Sequence, residues 1–280
     1  MERKEFLVCI DADGCLLDNM ELKHKECFCP ALVNIWELQS VSRYARQEWE
    51  KVNLYSRTRG TNRFHAVVNA LDRIYARPEV KAMGLVEPDL TDLKKWKEET
   101  PELSARALKE YAENNPNLSG TLKQAAEWSA EVDANIKRIV RGIRPFVNVV
   151  ETLEKLNTFA DVVVVSATPT EALERELKNC GVFDYFKKVF GQDAGTKSVC
   201  IAKMLDEGYD VNKTLKVGDA YGDLLAAKEN NVLFYPIRPS QEVESWKELN
   251  DKYADIFKDE KYEGSVMEER IQKFLDILPE

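Results

Sequence analysis

Asp11-Ala12-Asp13-Gly14 places two carboxylates directly after the short apolar run Phe6–Ile10. Carboxylates at i and i+2 leave a strand pointing the same way, and Gly14 lets the backbone turn beyond them. A lone Asp-x-Asp is common on loops, so its weight depends on what accompanies it. Three further groupings do. Val162–Val165 runs into Ser166-Ala167-Thr168-Pro169-Thr170-Glu171. There Thr168 as N-cap, Pro169 at the first helical position and Glu171 at the third form a capping-box pattern. Ser166 then stands at a strand-to-helix junction, where a hydroxyl and backbone N–H groups favour an anion. Gly195-Thr196-Lys197-Ser198 puts a cation in the first turn of a helix, against the macrodipole, which points to a nearby anion. Finally Leu215-Lys216-Val217-Gly218-Asp219-Ala220-Tyr221-Gly222-Asp223 sets Asp219 and Asp223 after another apolar run. Such hard oxygen ligands suit Mg²⁺, which takes a few carboxylates together with waters and a phosphate.

Each grouping has a plain alternative. Ser166 fits an ordinary turn, Lys197 a solvated surface, and Asp219 or Asp223 a helix cap. Four such coincidences, in order and each at a predicted strand end, are hard to explain separately. The chain holds two histidines, His24 and His65, and neither lies near a nucleophile motif. A Ser-His-Asp or Cys-His mechanism is therefore disfavoured, and the chemistry rests on carboxylates.

The elements that must position these groups follow from hydrophobic pattern. Phe6–Ile10 and Val162–Val165 read as strands buried on both faces. Lys188–Phe190, Leu215–Val217 and Val232–Tyr235 continue as strands, alternating with helices at Val199–Leu205 and Leu224–Lys228. That alternation predicts an α/β fold with a parallel sheet and right-handed crossovers. From residue 20 to 142 the periodicity is helical instead. Leu32, Ile35, Trp36 and Leu38 share one face, as do Val67, Val68, Leu71 and Ile74. Ala125, Trp128, Val132, Ile136 and Ile139 form a third stripe, and Pro88, Pro101 and Pro116 separate the helices. The expected organisation is a catalytic core of 1–19 and 143–280 with an all-helical insertion at 20–142. The region from Trp246 onward is charged and closes with an amphipathic helix through Val266, Ile271, Phe274, Leu275 and Leu278.

At 280 residues, 44% hydrophobic and 32% charged, the composition is that of a globular protein. The net charge of −9 disfavours a nucleic-acid partner, which needs clustered cations. No apolar run is long enough for an export signal or membrane span, so a cytoplasmic location with reduced thiols is expected for the six cysteines. Cys27 and Cys29 lack a Cys-x-x-Cys partner or histidine cluster and read as small buried hydrophobes.

Together, Asp11-x-Asp13-Gly14, Ser166, Lys197 and Gly218-Asp219-x-x-x-Asp223 resemble the four ordered motifs of the haloacid dehalogenase superfamily. The resemblance covers roughly 1–20 and 143–240. It implies a Rossmann-like core, with Asp11 as nucleophile and Mg²⁺ ligand. Asp13 would ligate the metal through its backbone carbonyl and act as general acid, then base. Ser166 and Lys197 would hold the transferring phosphoryl group, Asp219 would complete the metal site, and Asp223 would be a direct or water-mediated ligand. The insertion resembles the family's C1 cap, although it is long for one. Arg57-Thr58-Arg59-Gly60-Thr61-Asn62-Arg63, one helix into it, resembles a substrate-specificity loop, with Arg57, Arg59 and Arg63 as candidate substrate-anion groups; a solvated helix face is the competing reading. Cys15 stands where Thr or Val is usual, and no cap lysine matches the Schiff-base residue of the family's phosphonate hydrolases.

The resemblance thus implies a Mg²⁺-dependent phosphatase acting on a small phosphorylated metabolite through a phospho-aspartate. A phosphosugar mutase would use the same residues. A non-catalytic phosphoacceptor or metal-binding module would share the carboxylates and lysine, but the large insertion argues against it. A dehalogenase is disfavoured because halide displacement does not need Asp13.

Overall fold

The computed structural model describes residues 3–101, 103–115 and 120–280; Pro116 therefore lies outside the described residues. The chain forms two compact units, Met1–Met20 with Gly142–Glu280, and Glu21–Arg141.

The first unit is built on a parallel five-stranded sheet: β1 (Phe6–Ile10), β2 (Ala160–Val165), β3 (Lys188–Phe190), β4 (Thr214–Gly218) and β5 (Leu233–Pro236), in the order β3-β2-β1-β4-β5. Every β1 residue is buried, which is why the run is apolar throughout rather than alternating. Phe6, Val8 and Ile10 enter one apolar layer, and Leu7 and Cys9 enter the other. Val8 pairs with Val162 on one side and Leu215 on the other, so β1 is central. The chain moves outward through β2 and β3, then returns across β1 to β4. The strand order reverses between β1 and β4, and the position beyond the carboxyl ends at such a reversal is where ligands usually bind in open α/β sheets.

One expectation changes here. β2 begins at Ala160, before the apolar run, because Asp161 is buried and satisfied by hydrogen bonds from Lys187, Tyr209 and the Lys4 backbone N–H. The charged region from Trp246 is also part of the core. Trp246, Leu249, Tyr253 and Phe257 recur at helical spacing and are buried, and Trp246 Nε1 donates to the Cys15 carbonyl at 2.8 Å. The many charges on the outer face mask that stripe in the sequence.

The Glu21–Arg141 unit is helical, and its described residues contribute no strand. Its core joins Phe28, Trp36, Trp49, Phe64, Trp96 and Trp128, with Phe64 edge-on to Trp96 at 5.0 Å. The helix Arg63–Ala76 starts at Asn62, whose side chain accepts from the Phe64 N–H at 2.9 Å. It ends at Arg77, held extended by the following Pro78. Leu32, Ile35, Trp36 and Leu38 do not share one helix. The helix Cys29–Ile35 stops there, Glu37 takes a left-handed conformation, and the Leu38 N–H closes back on the Val33 carbonyl at 2.9 Å. Leu38 nevertheless reaches the core through that turn. Cys27 and Cys29 are buried free thiols.

Candidate active site

Asp11 extends β1 by one residue, its N–H donating to the Val217 carbonyl at 3.0 Å, so its side chain emerges at the β1/β4 reversal. Oδ1 accepts from the Ala12 N–H at 2.8 Å and Oδ2 from Lys197 Nζ at 2.8 Å. Gly14 then takes φ 73°, a left-handed turn that favours glycine. The N–H groups of Leu16 and Leu17 both close on the Ala12 carbonyl at 2.9 Å. Asp13 faces Asn19 and Thr168: Asn19 Nδ2 donates to its Oδ1 at 2.6 Å and the Thr168 hydroxyl to its Oδ2 at 3.1 Å.

Thr168 is consequently not the helix cap expected from the sequence. The helix begins at Thr170, with Pro169 extended before it, and the capping carboxylate comes from the 3₁₀ turn Gln192–Ala194. Asp193 accepts from the Thr170 N–H at 2.8 Å and its hydroxyl at 2.7 Å. A charged acceptor outcompetes a local backbone turn for the Thr168 hydroxyl. Ser166, buried at the end of β2, donates its N–H to the Phe190 carbonyl, and its Oγ accepts from the Thr168 N–H at 3.2 Å.

Lys197 opens the helix Lys197–Leu205, capped by the Thr196 hydroxyl on the Val199 N–H. Its ammonium bridges Asp11 and Asp223, at 2.8 Å and 2.7 Å. Asp219 follows β4 and is buried. Asp223 is the third residue of the helix Tyr221–Glu229, and its Oδ2 reaches back to the Ala220 N–H at 3.2 Å. It therefore does cap-like work at a helix start while sitting in the site. Gly218 makes this possible, since a Cβ there would lie 2.3 Å from Asp223 Cγ.

Asp11, Asp219 and Asp223 each offer an oxygen within 4.8 Å of the others, and all three are buried. Two ammonium groups, Lys197 and Lys216, face these three carboxylates. Burial, and then the neighbouring Asp223, push the Asp11 carboxyl up to about 7 against the pull of Lys197. Burial would likewise raise Asp223, but Lys197 and Lys216 hold it below the usual carboxylate range. Lys197 is held above its ordinary value because Asp11 and Asp223 outweigh its burial. A compact set of hard oxygens with one excess negative charge fits a small divalent cation such as Mg²⁺.

Two members of this site escaped the sequence reading. Asn19 is fully buried, and besides holding Asp13 its Oδ1 accepts from the Gly14 N–H at 3.3 Å. Its type and position carry no signal without the turn that folds it back. Lys216 does carry one: a lysine inside a buried strand demands a partner.

Arg59 and Arg63 lie in the helical unit. Arg59 is buried and donates to the Leu54 carbonyl at 3.0 Å. Arg63 pairs with Asp133 at 2.8 Å, bonds the Ser129 hydroxyl and covers the Phe28 ring. The Arg57–Arg63 stretch follows two helical runs, 20–35 and Ser42–Asn53, rather than one.

Against known proteins, the family model for haloacid dehalogenase-like hydrolase matches residues 62–237. This chain therefore belongs to the haloacid dehalogenase-like hydrolase family. The match begins after the Asp11–Gly14 segment, which the fold returns to the same sheet. No curated protein matches the sequence. Among solved structures, a haloacid dehalogenase-like hydrolase from Bacteroides fragilis superposes with TM-score 0.51 at 14% identity, covering 86% of this chain and 93% of that one. A Lactobacillus delbrueckii subsp. bulgaricus protein carrying the name phosphoglycolate phosphatase gives 0.50 at 14% identity, covering 82% and 85%. At that identity both speak to the fold. Among the described residues no helix is long and apolar enough to cross a membrane.

Proposed function

We propose that this chain is a Mg²⁺-dependent phosphatase that cleaves a small phosphorylated metabolite through a phospho-aspartate on Asp11. The observation that carries this reading is the buried convergence of Asp11, Asp219 and Asp223, with Lys197 resting on Asp11. Asp11, the Asp13 backbone carbonyl and Asp219 are the proposed Mg²⁺ ligands, with Asp223 direct or through water. Bound there, Mg²⁺ would neutralise charge so that an anionic carboxylate and an anionic phosphate can approach.

In the first half-reaction an Asp11 oxygen attacks phosphorus, the ester P–O bond breaks, and Asp13 gives a proton to the departing oxygen. In the second, Asp13 takes a proton from water as that water attacks phosphorus. The P–O bond to Asp11 then breaks, which releases inorganic phosphate and restores the carboxylate. Ser166 and Lys197 hold the phosphoryl oxygens throughout. The Thr168 hydroxyl can donate to the Asp13 carboxylate or accept from the acid, so Asp13 keeps a partner in both protonation states. Arg59 and Arg63 are the proposed substrate-anion groups, Arg63 by exchanging its present counter-ion, Asp133.

A screen of phosphorylated metabolites with Mg²⁺ should find one or more that release phosphate, and Asp11→Asn should abolish release. Full activity in that variant would refute the covalent route. A sugar phosphate returned as its isomer, without free phosphate, would instead make the chain a mutase.

A further inference from the structure

Lys216 is the centre of β4 and has no solvent exposure. The register sets it between Cys9 of β1 and Phe234 of β5, both in the apolar layer on that face. An apolar residue would be the inexpensive choice at such a position, because a buried ammonium requires compensation. Its Nζ donates to the Val217 carbonyl at 3.0 Å and pairs with Asp223 Oδ1 at 2.8 Å. Lys197 Nζ lies on the same Oδ1 at 2.7 Å, while Oδ2 takes the Ala220 N–H. Both Asp223 oxygens are thus committed, and one of them is shared by two ammonium groups.

We propose that Lys216 is a buried positioning residue of the active site, acting through Asp223. By sharing that carboxylate it leaves the Lys197 ammonium available to a phosphoryl group, and it sets the negative charge that a divalent cation meets. This inference rests on the phosphatase reading above. With Lys216 present, three carboxylates face two ammonium groups, a net charge of −1; without it the net charge is −2. Losing the lysine should therefore tighten Mg²⁺ binding while slowing turnover, since Asp223 then draws Lys197 away from the phosphoryl group. A residue that merely supports the fold would move both in the unfavourable direction.

The test uses the full chain as wild type, Lys216→Met, Asp223→Asn and the Lys216→Met/Asp223→Asn double variant, with folding checked by circular dichroism. Mg²⁺ is titrated calorimetrically, and turnover is followed with p-nitrophenyl phosphate. Lys216→Met should bind Mg²⁺ about tenfold more tightly and turn over more slowly, because one opposing charge near the ion has gone. The double variant, which also lacks a proposed Mg²⁺ ligand, should bind Mg²⁺ less tightly than Lys216→Met but more tightly than Asp223→Asn. If Lys216→Met does not fold, the same sign is read by comparing the double variant with Asp223→Asn, which it should exceed in affinity. Unchanged or weakened Mg²⁺ binding on loss of Lys216 overturns the proposal. A wild type that binds no Mg²⁺ and hydrolyses no ester would overturn the phosphatase reading itself, whereas wild-type binding and turnover with an indifferent Lys216 would remove only this inference.

Discussion

Asp11 and Asp161 stand at opposite ends of adjacent parallel strands, both buried and both paired with a lysine, yet their chemistry diverges. Asp161 meets only donors. Burial would raise its pKa, but Lys187, Tyr209 and the Lys4 N–H outweigh that and hold it below the usual range. Asp11 is more deeply buried, and that burial, followed by the neighbouring Asp223, raises its pKa to about 7 against the pull of Lys197. The first is a closed ion pair that ties β2 to its neighbours. The second is a site short of positive charge, which is the condition a cation and a phosphate can relieve. Proximity to a lysine does not distinguish structure from function. The balance of the whole group does.

Substitutions can sharpen that contrast. Asp13→Asn removes the proton donor while keeping the shape, and should lower kcat by about 10²–10⁴-fold in a phosphate-release assay. A loss much smaller than that would remove Asp13 from the acid/base role. Asn19→Ala frees the Asp13 carboxylate without touching it, and about 10–100-fold loss of activity is expected, as for other groups that orient a reacting side chain. A purely structural Asn19 would instead lower thermal stability and leave the kcat of the folded fraction intact.

At the other strand end the pattern should invert. Asp161→Asn should cost about 1–3 kcal/mol in urea unfolding at pH 7, with kcat unchanged. Folding depresses the Asp161 pKa, so its contribution is present above the unfolded value of about 3.9 and is lost as pH falls through the folded value. The stability gap between wild type and Asp161→Asn should narrow accordingly below about pH 4. A gap independent of pH would show that the ion pair is not its source. An Asp161→Asn variant that lost turnover while folded would collapse the distinction between the two ends.

How far each group could be read from the chain depends on the range of the interaction that places it. Asp11, Asp219 and Asp223 were legible because apolar strand runs and glycine turns are local, and ligands collect beyond strand ends in such sheets. Thr168 departs from its local capping pattern because that pattern competes with a charged acceptor 155 residues away, Asp13, that only the folded chain supplies. Trp246 and its helical stripe were hidden by surrounding charge, and Asn19 by the lack of any periodic signal.

By itself, then, the order of residues determined the alternation of strands and helices, the helical insertion and the carboxylate motifs at strand ends, since these follow from periodicity and backbone freedom over a few residues. Tertiary structure decided which carboxylates share a cation-sized space, which way Asp13 turns, and that Lys197 and Lys216 share Asp223. Those outcomes depend on distances between segments far apart in the chain, and electrostatic pairing in a buried site is set by such distances rather than by neighbours in sequence.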